Sequence, residues 1–190
     1  MAMKSDDLPE GWFSPGDIAA YESLYDQLAA GSSVAELGVW QGRSLCSVAD
    51  VILRKNLKIH AVDTFRGTPG ELDIVHDCDS KLRQRFESNL VRFGIADRVV
   101  IHVGSTERIA QDMAAGSLHL VFIDADHSYE TVLADIKAWL PKVKAGGVLC
   151  GHDYNPPGQD HAGVKQAVDE LIGRQKVVVF PNSSLWAHRI

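Results

Sequence analysis

Apolar residues in this chain fall into short β-rich runs separated by stretches with helical spacing, and the two kinds alternate almost from end to end. An opening helix is expected from Ser14-Pro15-Gly16-Asp17, where Ser14 can cap and Pro15 suits the first turn. It runs through IAAYESLYDQLAA to a stop at Gly31. A first strand is expected at Val34–Leu37, then a helix at Ser44–Leu53 and a second strand at Lys58–Val62. The looser stretch Thr64–Asp79 carries Gly67, Pro69 and Gly70 and precedes a helix at Ser80–Phe93. Next come a strand at Arg98–Val103, a helix at Thr106–Ala114 and a strand at Leu118–Ile123. A helix at Tyr129–Leu140 leads through an Ala145-Gly146-Gly147 turn to a fifth strand, Val148–Gly151. After a helix at Val164–Ile172, the pattern closes with strands at Lys176–Phe180 and Leu185–Arg189, joined by Pro181-Asn182-Ser183-Ser184.

Strands joined by helical crossovers predict an α/β fold: a mostly parallel seven-stranded sheet with helices on both faces. The last two strands, linked by a four-residue turn, are expected to form an antiparallel C-terminal hairpin. The pattern shows no internal repeat and no second domain, and 190 residues suit one domain, 1–190, with one substantial core. Within it, 1–31 reads as an N-terminal helical segment and 64–79 as a lid over the acceptor.

The most pointed local pattern is Val34–Ser44, VAELGVWQGRS, a strand running into a glycine turn. Glu36 precedes Gly38 by two residues, Gly42 follows, and Asp63 ends the second strand twenty-one residues after Gly42. Glycine lets a ligand approach the backbone closely. A carboxylate at the tip of the second strand is placed to bind a ribose diol. The spacing is E-x-G-x-x-x-G, not the G-x-G-x-x-G of dinucleotide sites, which argues against a nicotinamide-dependent dehydrogenase. Glu36 would repel a diphosphate and suits a ligand carrying an ammonium and a sulfonium. The pattern resembles motif I of the class I S-adenosylmethionine-dependent methyltransferases.

Composition narrows the partners. A net charge of −6 with scattered Lys and Arg argues against nucleic acid. No apolar run approaches a membrane span, and MAMKSDDLPEG lacks the apolar stretch of a signal peptide. Cys46, Cys78 and Cys150 show no CxxC spacing and read as reduced thiols of a cytoplasmic protein. The expected partner is a small-molecule substrate, with the chain acting alone or as a homodimer.

Polar residues crowd three strand ends: Gly104-Ser105-Thr106-Glu107, Asp124-Ala125-Asp126-His127-Ser128-Tyr129 and Gly151-His152-Asp153-Tyr154. Helix capping accounts for Thr106, Ser128 and Asp126. It does not account for the recurrence of His beside Asp at two tips. The run VFIDADHSYETVLADIKAWLPKVKAGGVLCGHDY resembles a small-molecule O-methyltransferase family. Its members methylate sugar or natural-product hydroxyls, and some are named cephalosporin hydroxylases. The resemblance extends from about Gly11 to the hairpin and implies the Rossmann-like class I methyltransferase fold.

By that resemblance, and by analogy with metal-dependent catechol-type methyltransferases, Asp124 is a metal ligand lying close to the cofactor. His152 and Asp153 supply the other metal ligands, and His127 falls where such enzymes place the general base. A cation would lower the pKa of an acceptor hydroxyl, and an imidazole could then take its proton. Magnesium prefers an all-oxygen shell, so His152 favours manganese or a substrate-binding role. For S-adenosylmethionine, Glu36 and Gly38 are expected at the aminoacyl end, with Ser44 in the same turn. Asp63 is expected on the ribose, and Ser105 near the adenine with Thr64 and Phe65. Trp40 reads as an aromatic anchor for the first helix or a substrate contact, and Gly11-Trp12-Phe13 as a segment crossing the opening. His60, His102, His119 and His188 read as packing or surface residues, and His76 and His161 as loop residues that could face the substrate. Two other readings stay open: an iron oxygenase using Asp124, His152 and Asp153 or a set with His127, and a non-catalytic S-adenosylmethionine-binding module.

Overall fold

The computed structural model describes residues 7–67, 81–154 and 162–190. His76, His161, Cys78 and most of the expected lid lie outside the described residues. The described chain forms α1 (Pro15–Asp26), β1 (Ser33–Leu37), α2 (Arg43–Ser47), α3 (Ala49–Arg54), β2 (Lys58–Asp63) and α4 (Leu82–Arg92). There follow β3 (Val99–Val103), α5 (Thr106–Asp112), β4 (Leu118–Ile123), α6 (Tyr129–Trp139), β5 (Val143–Gly151), α7 (Ala162–Leu171), β6 (Val178–Val179) and β7 (Trp186–Arg189).

The strands make one seven-stranded sheet in the order β3-β2-β1-β4-β5-β7-β6. The first five are parallel, and β7 pairs antiparallel with both β5 and β6. The hairpin therefore folds back so that its second strand, not its first, pairs with β5, leaving β6 at the sheet edge. Side chains alternate across the sheet. Val34, Leu120, Phe122 and Cys150 face a core with α1 to α4, and Ala35, Leu37, Val121 and Leu149 face a core with α5 to α7. Cys46 and Cys150 are buried free thiols. Among the described residues no helix is long and apolar enough to cross a membrane.

Several predicted boundaries shift for local reasons. α1 ends at Asp26, short of Gly31, because Lys55 Nζ takes the carbonyls of Tyr25, Asp26 and Leu28 that a longer helix would use. The expected helix at Ser44–Leu53 is two short helices that break at Val48, where Ser47 Oγ bonds the Ser44 carbonyl at 2.6 Å. The expected turn at Ala145–Gly147 is instead an irregularity inside a longer strand. β5 begins at Val143, and its pairing with β4 jumps from Leu118↔Val143 to Leu120↔Val148. Gly146, at φ 78°, accommodates that distortion.

Phe122 is fully buried between the sheet and α1, with its ring 4.6 Å from Tyr21 and 6.1 Å from Phe13. Phe122→Ala is expected to cost about 3–5 kcal/mol of stability, read as a lowered urea midpoint with an unchanged slope.

Candidate active site

The turn after β1 is held at both ends. Gly38 N–H donates to the Val62 carbonyl at 2.8 Å, and Asp124 N–H donates to the Leu37 carbonyl at 2.8 Å. Gly38 has φ 79°, and a Cβ there would lie 2.1 Å from the Asp124 carbonyl oxygen. Only glycine fits between the tips of β1 and β4. Asp63, at the end of β2, accepts from Val39 N–H at 2.9 Å and Trp40 N–H at 3.1 Å through one oxygen. Its other oxygen accepts from Phe65 N–H at 2.7 Å. Three of roughly four carboxylate acceptor positions are thus in use, leaving about one for a ligand hydroxyl. Val39, rather than Trp40, is the residue of this turn buried in the core, and Trp40 is half-buried with its ring 5.9 Å from that of Trp12.

Glu36 has no exposed surface. Strand alternation turns it toward α1, where Tyr21 Oη donates to it at 2.6 Å and Tyr21 and Tyr25 share a hydroxyl bond of 3.0 Å. Ser44 Oγ donates to its other oxygen at 2.5 Å. Burial pushes the Glu36 carboxyl up to about 8, against the pull of those hydroxyls and with help from the charges of Asp124 and Asp63. Glu36 therefore reaches the glycine turn through its bond from Ser44, not as an open carboxylate.

Asp124, His127, His152 and Asp153 converge at the neighbouring tips of β4 and β5. His127 Nε2 lies 3.0 Å from Asp153 Oδ2, and His152 Nδ1 lies 3.1 Å from that same oxygen and 3.6 Å from Asp124 Oδ1. Asp153 holds this position with a left-handed backbone, φ 58°. One ligand atom each from Asp124, His152 and Asp153 fall within 4.8 Å of one another, a geometry that can hold a metal ion. Burial pushes the Asp124 carboxyl up to about 7, an effect His152 opposes and Asp153 reinforces. For His152 burial acts downward, but Asp124, Asp153 and Asp17 override it and raise the imidazole to about 11. Burial also acts against Asp153, whose bonds from His127 and His152 nonetheless hold its carboxyl well below the usual range. A small cleft is lined by Asp124, His127 and His152 of the cluster together with Asp126 and the buried Ile123, Val132, Val164 and Trp186.

Ser105, expected at the adenine, is exposed at the tip of β3 and caps α5, accepting from Arg108 N–H at 3.4 Å. The neighbouring Gly104 N–H donates to the Asp63 carbonyl at 3.0 Å, which sets this tip beside that of β2. The cap is Ser105 and not Thr106, whose hydroxyl donates to buried Asp135. Phe13 lies against His152 with ring centres 5.4 Å apart, and Trp12 against Trp40, so the N-terminal segment bridges the turn and the ionisable cluster. His60 and His102 face each other at 3.0 Å across β2 and β3, and His119 accepts from Ser33 N–H. Sequence reasoning missed Asp17, Tyr21 and Tyr25. Asp17 was legible only as a residue of the helix's first turn, and the tyrosines only as part of its apolar spacing.

The sheet order, the terminal hairpin and the glycine turn beside a strand-tip acid define a class I methyltransferase fold. A family model described as a methyltransferase domain matches residues 35–154, and the chain belongs to that family. Among solved structures, the O-methyltransferase NovP superposes with a TM-score of 0.75 at 18% identity, over 97% of this chain and 85% of NovP. CalS11, a TDP-rhamnose 3'-O-methyltransferase of calicheamicin biosynthesis, gives 0.64 at 19% identity, over 93% and 81%. TomG from Streptomyces achromogenes, an O-methyltransferase of tomaymycin synthesis in complex with S-adenosylmethionine, gives 0.66 at 19% identity, over 97% and 84%. At these identities the likeness speaks for the fold.

The buried acid yields a pH test. Folding favours protonated Glu36, so its contribution is complete below its ordinary value of 4.5 and is lost as pH rises toward about 8. Glu36→Gln cannot ionise and keeps two hydroxyl partners. Its stability relative to the parent is expected to rise by on the order of 2–4 kcal/mol between about pH 5 and about pH 8, measured by urea unfolding across that range.

Proposed function

We propose that this methyltransferase moves the methyl group of S-adenosylmethionine to a hydroxyl oxygen of a small molecule, a sugar or natural product, with a divalent cation at Asp124, His152 and Asp153. The observation that carries the reading is the shared wall between the two halves of the site. The turn expected to hold the donor and the tip bearing Asp124 are pressed together at Gly38. A methyl donor over the turn would therefore lie within reach of the ionisable cluster, as alignment of oxygen, methyl and sulfur requires.

The remaining acceptor position of Asp63 would take a ribose hydroxyl, and Ser105 would stand near the adenine. Ser44, bonded to the buried Glu36, would hold the shape of the turn around the aminoacyl end. The donor set of one imidazole nitrogen and two carboxylates suits a borderline cation such as manganese better than magnesium. Such a cation, when bound, lowers the pKa of the acceptor hydroxyl. His127 is held by Asp153 through Nε2; with Nε2–H donated there, Nδ1 is the basic nitrogen that receives the hydroxyl proton. Membership of the methyltransferase domain family favours this chemistry over an iron oxygenase on the same cluster.

Calorimetric titration with S-adenosylmethionine, with and without manganese, tests the donor, and a screen of hydroxylated acceptors tests the reaction. Asp63→Ala is expected to weaken donor binding. His127→Ala is expected to leave donor binding intact while lowering kcat by about 10²–10⁴-fold. Full turnover in the presence of a strong chelator would remove the cation from the reading.

A further inference from the structure

Asp17 is a buried acid that the reaction described above leaves without a task. It lies in the first turn of α1, is 3% exposed, and is fixed on all sides. One oxygen accepts from Ser183 Oγ at 2.8 Å and Ser184 N–H at 2.9 Å. The other accepts from Ser14 N–H at 2.9 Å and lies 3.3 Å from His152 Nε2. That turn of the helix packs closely on the loop after β6, where a Cβ on Gly16 would fall 1.8 Å from the Asn182 carbonyl oxygen. The His152 ring is packed by Phe13, and among the described residues its buried Nε2 has no hydrogen-bond partner, only this ion-pair contact.

An imidazole can offer a lone pair to a cation from one nitrogen only when the other carries the proton. His152 presents Nδ1 to Asp153 and Asp124, and Nε2 to Asp17. We infer that Asp17 is a positioning residue: it receives the Nε2–H of His152 and so aims the Nδ1 lone pair at the cation site formed with Asp124 and Asp153. The inference rests on the cation reading above. Its physical basis is the carboxylate that commonly fixes a metal-bound histidine from behind, setting ring orientation and tautomer. Here that carboxylate comes from the N-terminal helix, which makes docking of α1 part of building the donor set.

The test is Mn²⁺ affinity, read from the free-ion electron paramagnetic resonance signal, in the parent, Asp17→Asn and Ser183→Ala. Asp17→Asn is expected to bind Mn²⁺ about 10–100-fold more weakly. Ser183→Ala, which removes a partner of Asp17 but not its contact with His152, is expected to bind as the parent does. Equal affinity in the parent and Asp17→Asn overturns the role of Asp17 while leaving the cation reading standing. Absence of Mn²⁺ binding by the parent overturns both. If Asp17→Asn does not fold, the ¹⁵N-labelled parent loaded with Zn²⁺ decides the matter without a variant. Long-range ¹⁵N–¹H correlations are expected to show His152 protonated at Nε2 and metal-bound at Nδ1, and the reverse assignment overturns the inference.

Discussion

Two strand tips meet without spare room where Gly38 passes the backbone of Asp124, and the rest of the site is arranged around that contact. Parallel pairing brings the ends of β1 and β4 level, with Leu37 opposite Ile123. The residues that follow must then diverge, one chain into the glycine turn and the other into the acidic loop. A side chain at Gly38 would force the two apart, because packed backbone does not yield by an ångström or more. The separation between turn and ionisable cluster is therefore set by the sheet itself.

The cluster at the tips of β4 and β5 gathers three carboxylates, Asp17, Asp124 and Asp153, around the buried ring of His152, with His127 at its edge. Like charges in so small a space have to be balanced, either by protons or by cations. The directions of the shifts express that balance: Asp124 is pushed up, Asp153 and Asp17 are held down, and His152 is raised. Before His152 Nδ1 can act as a donor it has to give up a proton, so occupancy of the cation site and protonation of the ring are two settings of one equilibrium.

α1 enters the site from two sides. Tyr21 reaches Glu36 under the glycine turn, and Asp17 reaches His152 under the tip of β5. Between them Phe13 and Tyr21 pack on Phe122, so apolar burial holds both polar contacts in place. A helix that looks like a cover for one face of the sheet is thereby a wall of the site.

The chain's own pattern determined the strands, their alternation with helices and the terminal hairpin, because periodicity and capping act within a few residues. It also placed Asp63, Asp124 and the His152-Asp153 pair at strand ends, since a polar cluster after an apolar run marks the point where a strand leaves the core. What it did not determine is which groups those acids meet. Glu36 read as an open carboxylate beside a ligand, and it is closed off by Tyr21 and Ser44. Asp17 read as a residue of a helix's first turn, and it stands against His152. The glycines after Val143 read as a turn, and they are a distortion inside β5 fixed by its pairing with β4. Each of these depends on segments far apart in the chain being brought into contact, and burial of apolar faces, which is non-directional, decides that contact only when the whole sheet assembles.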